Sequence, residues 1–128
     1  MSEFVLDASA ILALIFREPG AGDVERALPD AMMSTVNLTE VVARLCDRGM
    51  PIVQVEQVMA GLPLTLVPFT RSIALAAGFL RREIKPFGLS LGDRACLATA
   101  RTAGRPALTA DSAWQRLKLT GVEVQVIR

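Results

Sequence analysis

Hydrophobic runs along the chain are short and punctuated by Pro and Gly, and their period switches repeatedly between that of strands and that of helices. Glu3-Phe4-Val5-Leu6-Asp7 predicts a short buried strand, and Ala8 to Phe16 an apolar helix stopped by Pro19-Gly20. A helix over Gly22 to Leu28 and a short strand over Ala31-Met32-Met33-Ser34 follow. Val36 to Arg48 predicts a strongly amphipathic helix closed by Gly49, and Pro51 opens another that runs to Gly61. Leu64 to Val67 predicts a strand ending at Pro68. Thr70 then caps a long helix reaching about Lys85, ended by Pro86 and Gly88. Leu91 to Ala103 predicts a helix stopped by Gly104, Ala107-Leu108-Thr109 a strand, and Asp111 to Leu119 a helix stopped by Gly121. Val122-Glu123-Val124-Gln125-Val126 alternates as an edge strand with one covered face does.

Strands alternating with helices predict an α/β fold, an open parallel sheet with helices on both faces. With 128 residues, the chain suits one domain spanning 1–128, since two cores would each be marginal. Ligands on such sheets sit beyond the carboxyl ends of the strands, so polar residues there are the first candidates for chemistry.

Composition narrows that chemistry. Fourteen basic against thirteen acidic residues give a net charge of +1, so no global charge announces nucleic acid or membrane. The chain has no histidine and no tyrosine, which excludes Ser-His-Asp hydrolysis, histidine-dependent RNA cleavage, histidine-ligated zinc and a tyrosine nucleophile. Two cysteines, Cys46 and Cys96, are too few for a structural zinc site and read as small buried hydrophobes. Met1-Ser2-Glu3 lacks the basic start of a signal peptide, and the apolar stretch from Ala8 to Phe16 is too short to span a membrane. A soluble, cytoplasmic protein with no membrane partner is expected.

Four carboxylates stand out. Asp7 closes the first strand and Asp111 follows the fourth; either also suits a helix cap. Ser9 can share either role with Asp7. On the helix from Val36 to Arg48, Leu38, Val41, Val42 and Leu45 share one face, whereas Asn37, Glu40, Arg44 and Asp47 fall opposite. Taken alone, Glu40 reads as part of a solvated face. Asp93 shares the apolar stripe of its helix with Cys96, Leu97 and Ala100, and burying a charge there needs a partner. Its first-turn position contributes only ~0.3–1 kcal/mol through the helix dipole, so a cation or a polar cleft is expected beside it. If the acids converge, two such charges roughly 4 Å apart cost about 4 kcal/mol at an effective dielectric near 20. All-oxygen ligation would favour Mg²⁺ or Mn²⁺, which suits phosphate substrates.

Val5-Leu6-Asp7-Ala8-Ser9-Ala10, Asn37-Leu38-Thr39-Glu40-Val41, Leu89-Ser90-Leu91-Gly92-Asp93-Arg94 and Leu108-Thr109-Ala110-Asp111-Ser112-Ala113-Trp114, with the terminal Gly121-Val122-Glu123-Val124, resemble the PIN-domain ribonucleases. Within them the likeness is to VapC-type toxins of toxin–antitoxin pairs. Each motif is weak, but four in this order and spacing match nearly the whole chain. The resemblance implies a three-layer α/β/α sandwich with a five-stranded, mainly parallel sheet. It makes Asp7, Glu40, Asp93 and Asp111 the catalytic acids that hold Mg²⁺ or Mn²⁺, with Thr109 and Ser9 in support. It also implies metal-dependent hydrolysis of RNA, a homodimer and a cognate VapB-like antitoxin whose tail covers the acids. RNA needs a basic rim, for which Arg44, Arg48, Arg81, Arg82, Lys85 and Arg94 are candidates, Arg44 foremost because it lies one turn beyond Glu40.

Other readings fit less well. A haloacid-dehalogenase-like phosphatase needs a second acid two residues after the first, where Ser9 stands. A receiver domain needs an acid pair and a lysine at a late strand end, but the only lysines are Lys85 and Lys118. No Walker loop occurs, and Gly20-Ala21-Gly22 lacks the third glycine of a dinucleotide fingerprint because position 25 is Glu25. The remaining alternative is a catalytically weak PIN-fold module whose acids only bind metal or a partner.

Overall fold

The computed structural model describes residues 3–84 and 88–127. Five short strands, β1 (Val5–Leu6), β2 (Met32–Ser34), β3 (Thr65–Val67), β4 (Ala107–Thr109) and β5 (Val124–Val126), form one sheet. Its order is β3-β2-β1-β4-β5, and every neighbouring pair is parallel. The helices are α1 (Ala8–Ile15), α2 (Ala21–Ala27), α3 (Thr35–Asp47), α4 (Ile52–Ala60), α5 (Arg71–Phe79), α6 (Arg81–Ile84) and α7 (Leu91–Ala103).

Alternation along the strands separates two cores, one on each face of the sheet. Leu6, Met33 and Leu108 point to the side covered by α1 to α4, where they meet Ile11, Val24, Val41, Leu45 and Val55. Their neighbours Val5, Met32 and Ala107 point to the side of α5 to α7 and meet Ile73, Ala77, Ile84, Cys96, Leu97 and Trp114. Burying each large apolar side chain stabilises the fold by roughly 1.5–3 kcal/mol. β1, hydrogen-bonded on both sides and fully buried, is the axis of the domain. The three-layer α/β/α architecture expected from the sequence is the one observed.

Three local expectations differ. The long helix from Thr70 does start at that cap, whose hydroxyl accepts from the Ile73 amide, but it is interrupted at Leu80. Gly78, a poor helix former, stands just before the break, and the chain resumes so that Leu80 and Ile84 are both buried. The expected end at Lys85 and Pro86 lies outside the described residues. Residues 111–119 form no α-helix; a 3-10 turn covers Ser112–Arg116 and the chain is extended from Leu117. Trp114 is the single buried anchor of that turn, too few contacts to hold a longer helix. Cys46, finally, is exposed, whereas Cys96 is buried as expected. Met33 is core, and Met50 and Met59 pack against it. No helix among the described residues is long and apolar enough to cross a membrane.

Candidate functional site

The four acids come from four separate segments and line one cavity of about 240 Å³, together with Ser9, Ser90 and Arg44. It opens at the carboxyl end of β1 and β4, where the chain leaves β1 for α1 on one face and leaves β4 for the Trp114 turn on the other. This is the switch point at which an open parallel sheet leaves a crevice.

Asp7 is the buried member, 4 % exposed. It caps α1, accepting from the Ala10 amide through Oδ1 at 3.0 Å, so the capping role weighed from the sequence is real. Oδ1 also accepts from Ser9 Oγ at 2.7 Å, and Oδ2 from Thr109 Oγ1 at 2.6 Å. Each hydroxyl spends its one proton on Asp7 and accepts a backbone amide in return: Ala110 N–H at Ser9 Oγ, 2.9 Å, and Asp111 N–H at Thr109 Oγ1, 3.0 Å. Burial pushes the Asp7 carboxyl up to about 6; the bonds from Thr109, Ser9 and Ala10 pull it back only in part, and the charge of Asp93 adds to the rise.

Glu40 projects from α3 on the polar face predicted for it, but that face is not solvated throughout. Asn37, one turn earlier, is 1 % exposed. Its Nδ2 donates to Glu40 Oε1 at 2.8 Å and to the Gly92 carbonyl at 3.0 Å, tying α3 to the start of α7. Both partners are acceptors, so the amide orientation is fixed, and Oδ1 is left buried and unpaired. A methyl group built on Gly92 would collide with the Glu40 carboxylate. Glycine is therefore what lets the acid lie against α7. Neither residue was singled out from the sequence for this work. The visible signals were the spacing of Asn37 to Glu40 and a glycine directly before Asp93.

Asp93 is half-buried rather than deeply buried, and it has a local partner that dipole arithmetic alone did not provide. Its Oδ2 accepts from the Ser90 amide at 3.0 Å while Ser90 Oγ accepts from the Asp93 amide at 3.2 Å, a reciprocal capping box. Asp111 is exposed and caps the Trp114 turn, accepting from the Ala113 amide at 3.0 Å. Beneath the cavity, burial and then the charges of Asp7, Asp93 and Glu40 push the Cys96 thiol well up, which leaves it inert.

The basic candidates divide. Arg44 lines the acidic cavity, and Arg48 lines the one beside it. Arg94 turns away: its NH1 donates to the Ala77 carbonyl at 3.3 Å, satisfying one of the open carbonyls at the end of α5. With Arg81 it borders a separate small cavity. Arg82 is exposed, and Lys85 lies outside the described residues.

Among the described residues, no three acidic or cysteine side chains already stand as a finished metal cage. The donor set nevertheless fits a hard divalent cation. A carboxylate offers about four lone-pair sites. The hydrogen bonds above use three on Asp7 and one each on Glu40, Asp93 and Asp111. Acceptors thus remain on all four, around a carboxyl group whose ionised form is held under strain by burial.

A carboxylate-lined crevice at the switch point of a parallel α/β/α sandwich is the class of site this fold presents. The PIN domain family matches residues 4–119, and the chain belongs to that family. Solved structures of like fold include a toxin-antitoxin complex from Klebsiella pneumoniae, with TM-score 0.73 and 21% identity over 93% of this chain and 94% of that one. DNA-bound VapBC from Salmonella typhimurium aligns with TM-score 0.77 and 16% identity over 100% of both chains. VapBC-5 from Mycobacterium tuberculosis aligns with TM-score 0.64 and 21% identity over 99% of this chain and 100% of that one. At such identities the likeness is one of fold. A search of curated proteins by sequence found no match.

Proposed function

We propose that this PIN-domain protein is a ribonuclease that uses Mg²⁺ or Mn²⁺ and acts as the VapC-type toxin of a toxin–antitoxin pair in the cytoplasm. The observation that carries the reading is the gathering of Asp7, Glu40, Asp93 and Asp111, distant in sequence, around one cavity. In it those four acids hold the ion, which when bound supplies Lewis acidity to the phosphate oxygens. Ser9 and Thr109 orient Asp7, Asn37 and Gly92 set the position of Glu40, and the Ser90 amide aims Asp93. Arg44 meets the RNA backbone at the cavity wall, offsetting the acidic centre. Water adds across one P–O bond of the RNA.

Partners follow from the same reading. The similar structures are of VapBC and toxin-antitoxin systems; for this chain we infer a VapB-like antitoxin that covers the acids with a basic side chain, and a homodimer. A second reading, a PIN-fold module that binds metal or partner without cleaving RNA, draws support from the acids being engaged in local hydrogen bonds rather than pre-assembled.

Cleavage of RNA with Mg²⁺ or Mn²⁺, with and without EDTA, separates the two. Activity lost in EDTA and in both Asp7→Ala and Asp93→Ala is the expected outcome. Equal cleavage by wild type and both variants contradicts the enzyme reading.

A further inference from the structure

Beside the acidic cavity lies a second one of about 380 Å³, and Ser9, Leu12, Arg44 and Asp111 line both. Its outer wall carries Phe16 and Arg48, whose guanidinium carbon stands 4.4 Å from the ring centroid. We propose that this pocket seats one unpaired nucleobase next to the scissile phosphate, stacked on the Phe16–Arg48 pair. The inference rests on the ribonuclease reading and adds to it a place where the RNA is read.

Four features carry it. An aromatic ring and a guanidinium plane are the two protein surfaces on which unpaired bases stack. The half-buried Phe16 is held firmly, because the helix ends in a tight closure directly after it: the Arg17 amide donates to Leu14 O at 3.3 Å and the Glu18 amide to Ala13 O at 2.8 Å. Charge then argues for a base rather than a second phosphate. With Asp111 engaged at the ion, the lining sets Arg44 and Arg48 against the carboxylates of Glu18 and Asp47, a balanced environment that offers a second phosphodiester no net attraction. Carboxylates accept hydrogen bonds and do not donate them, so they suit a base edge rich in N–H groups, such as guanine, over uracil with its two carbonyls. The volume lies at the small end of ligand pockets, roughly 300–1,000 Å³, as one base requires.

The test uses single-stranded RNA oligonucleotides varied at one position at a time around a mapped cut, with the full-length protein, Phe16→Ala, Phe16→Trp and Arg48→Gln. Wild type is expected to prefer guanine over uracil at one flanking position. Phe16→Ala should lose kcat/KM by roughly tenfold to a hundredfold on that substrate, and the loss should vanish when the position is abasic; Phe16→Trp should restore it. Arg48 is exposed, so Arg48→Gln leaves folding aside and should weaken the same preference. A readout independent of cleavage is 2-aminopurine placed at that position, in EDTA. Its fluorescence should be quenched by wild type and not by Phe16→Ala.

Cleavage with a flanking preference unchanged in both Phe16→Ala and Arg48→Gln overturns the base pocket and leaves the ribonuclease reading standing. Variants that lose antitoxin binding yet keep wild-type base preference and quenching overturn it in favour of a peptide groove. RNA left intact by wild type overturns the ribonuclease reading, and 2-aminopurine left unquenched by wild type overturns the base pocket.

Discussion

Thr109, the last residue of β4, donates its hydroxyl proton to Oδ2 of Asp7, which follows β1, across 2.6 Å. This one bond joins the ends of two adjacent strands and orients the most buried acid of the site. The same Thr109 oxygen accepts the amide of Asp111 at 3.0 Å, so two of the four acids are positioned by one hydroxyl.

Thr109→Val keeps the shape of the side chain and removes both bonds. It should lower unfolding free energy by about 1–3 kcal/mol, the cost of leaving a buried acceptor and an amide unpaired, as read by urea unfolding at neutral pH. Thr109→Ser should recover most of the loss. A valine variant as stable as wild type would show that the hydroxyl does not hold Asp7.

Asp7 also sets a pH dependence in metal-free protein. Its carboxyl is raised from 3.8 to about 6 in the fold, so between those values the folded protein keeps a proton that the unfolded chain has released. Raising the pH through that window therefore costs stability, roughly 3 kcal/mol once both states are ionised. Asp7→Asn cannot ionise. Relative to wild type in EDTA, it should gain stability as pH climbs from 4 to 7, with little further change above that. A gap between the two proteins that stays constant with pH would mean that Asp7 is not strained by burial.

Gly92 is the third handle. Gly92→Ala puts a methyl group where the Glu40 carboxylate lies. The far end of Glu40 is flexible enough to swing aside, and alanine favours helix, so unfolding free energy should stay within about 1 kcal/mol of wild type. RNA cleavage should fall roughly a hundredfold, the scale of a misplaced catalytic group. Combining it with Glu40→Ala should add little beyond Glu40→Ala alone. Full activity in Gly92→Ala would dissociate Glu40 from the chemistry.

What was legible in the chain follows from what periodicity records. A helix or strand with its own punctuation is visible: α7 runs from Leu91 to Ala103 and β4 from Ala107 to Thr109, both as expected. The order of strands and helices sufficed for the sheet, and the four acids do share a cavity. Periodicity does not record what packs across from a face. Asn37 falls on the polar side of α3, yet that side meets Gly92 of α7 and buries it. Arg94, expected at an RNA rim, instead satisfies a carbonyl of α5. Residues 111–119 carry enough apolar side chains for a helix, but only Trp114 finds a buried seat. Asp93 owes much of its placement to Ser90, three residues earlier, a spacing present in the chain whose weight shows only once both hydrogen bonds are seen.

The most direct measurement is calorimetric titration of the metal-free protein with Mn²⁺ at pH 7.5, for wild type and for Asp7→Asn, Glu40→Gln, Asp93→Asn and Asp111→Asn. Saturable binding by wild type, weakened roughly tenfold or more by each amide, is the expected result for one ion held by acids from four segments. Absence of binding to wild type, or affinity unchanged in all four variants, would contradict a shared metal centre.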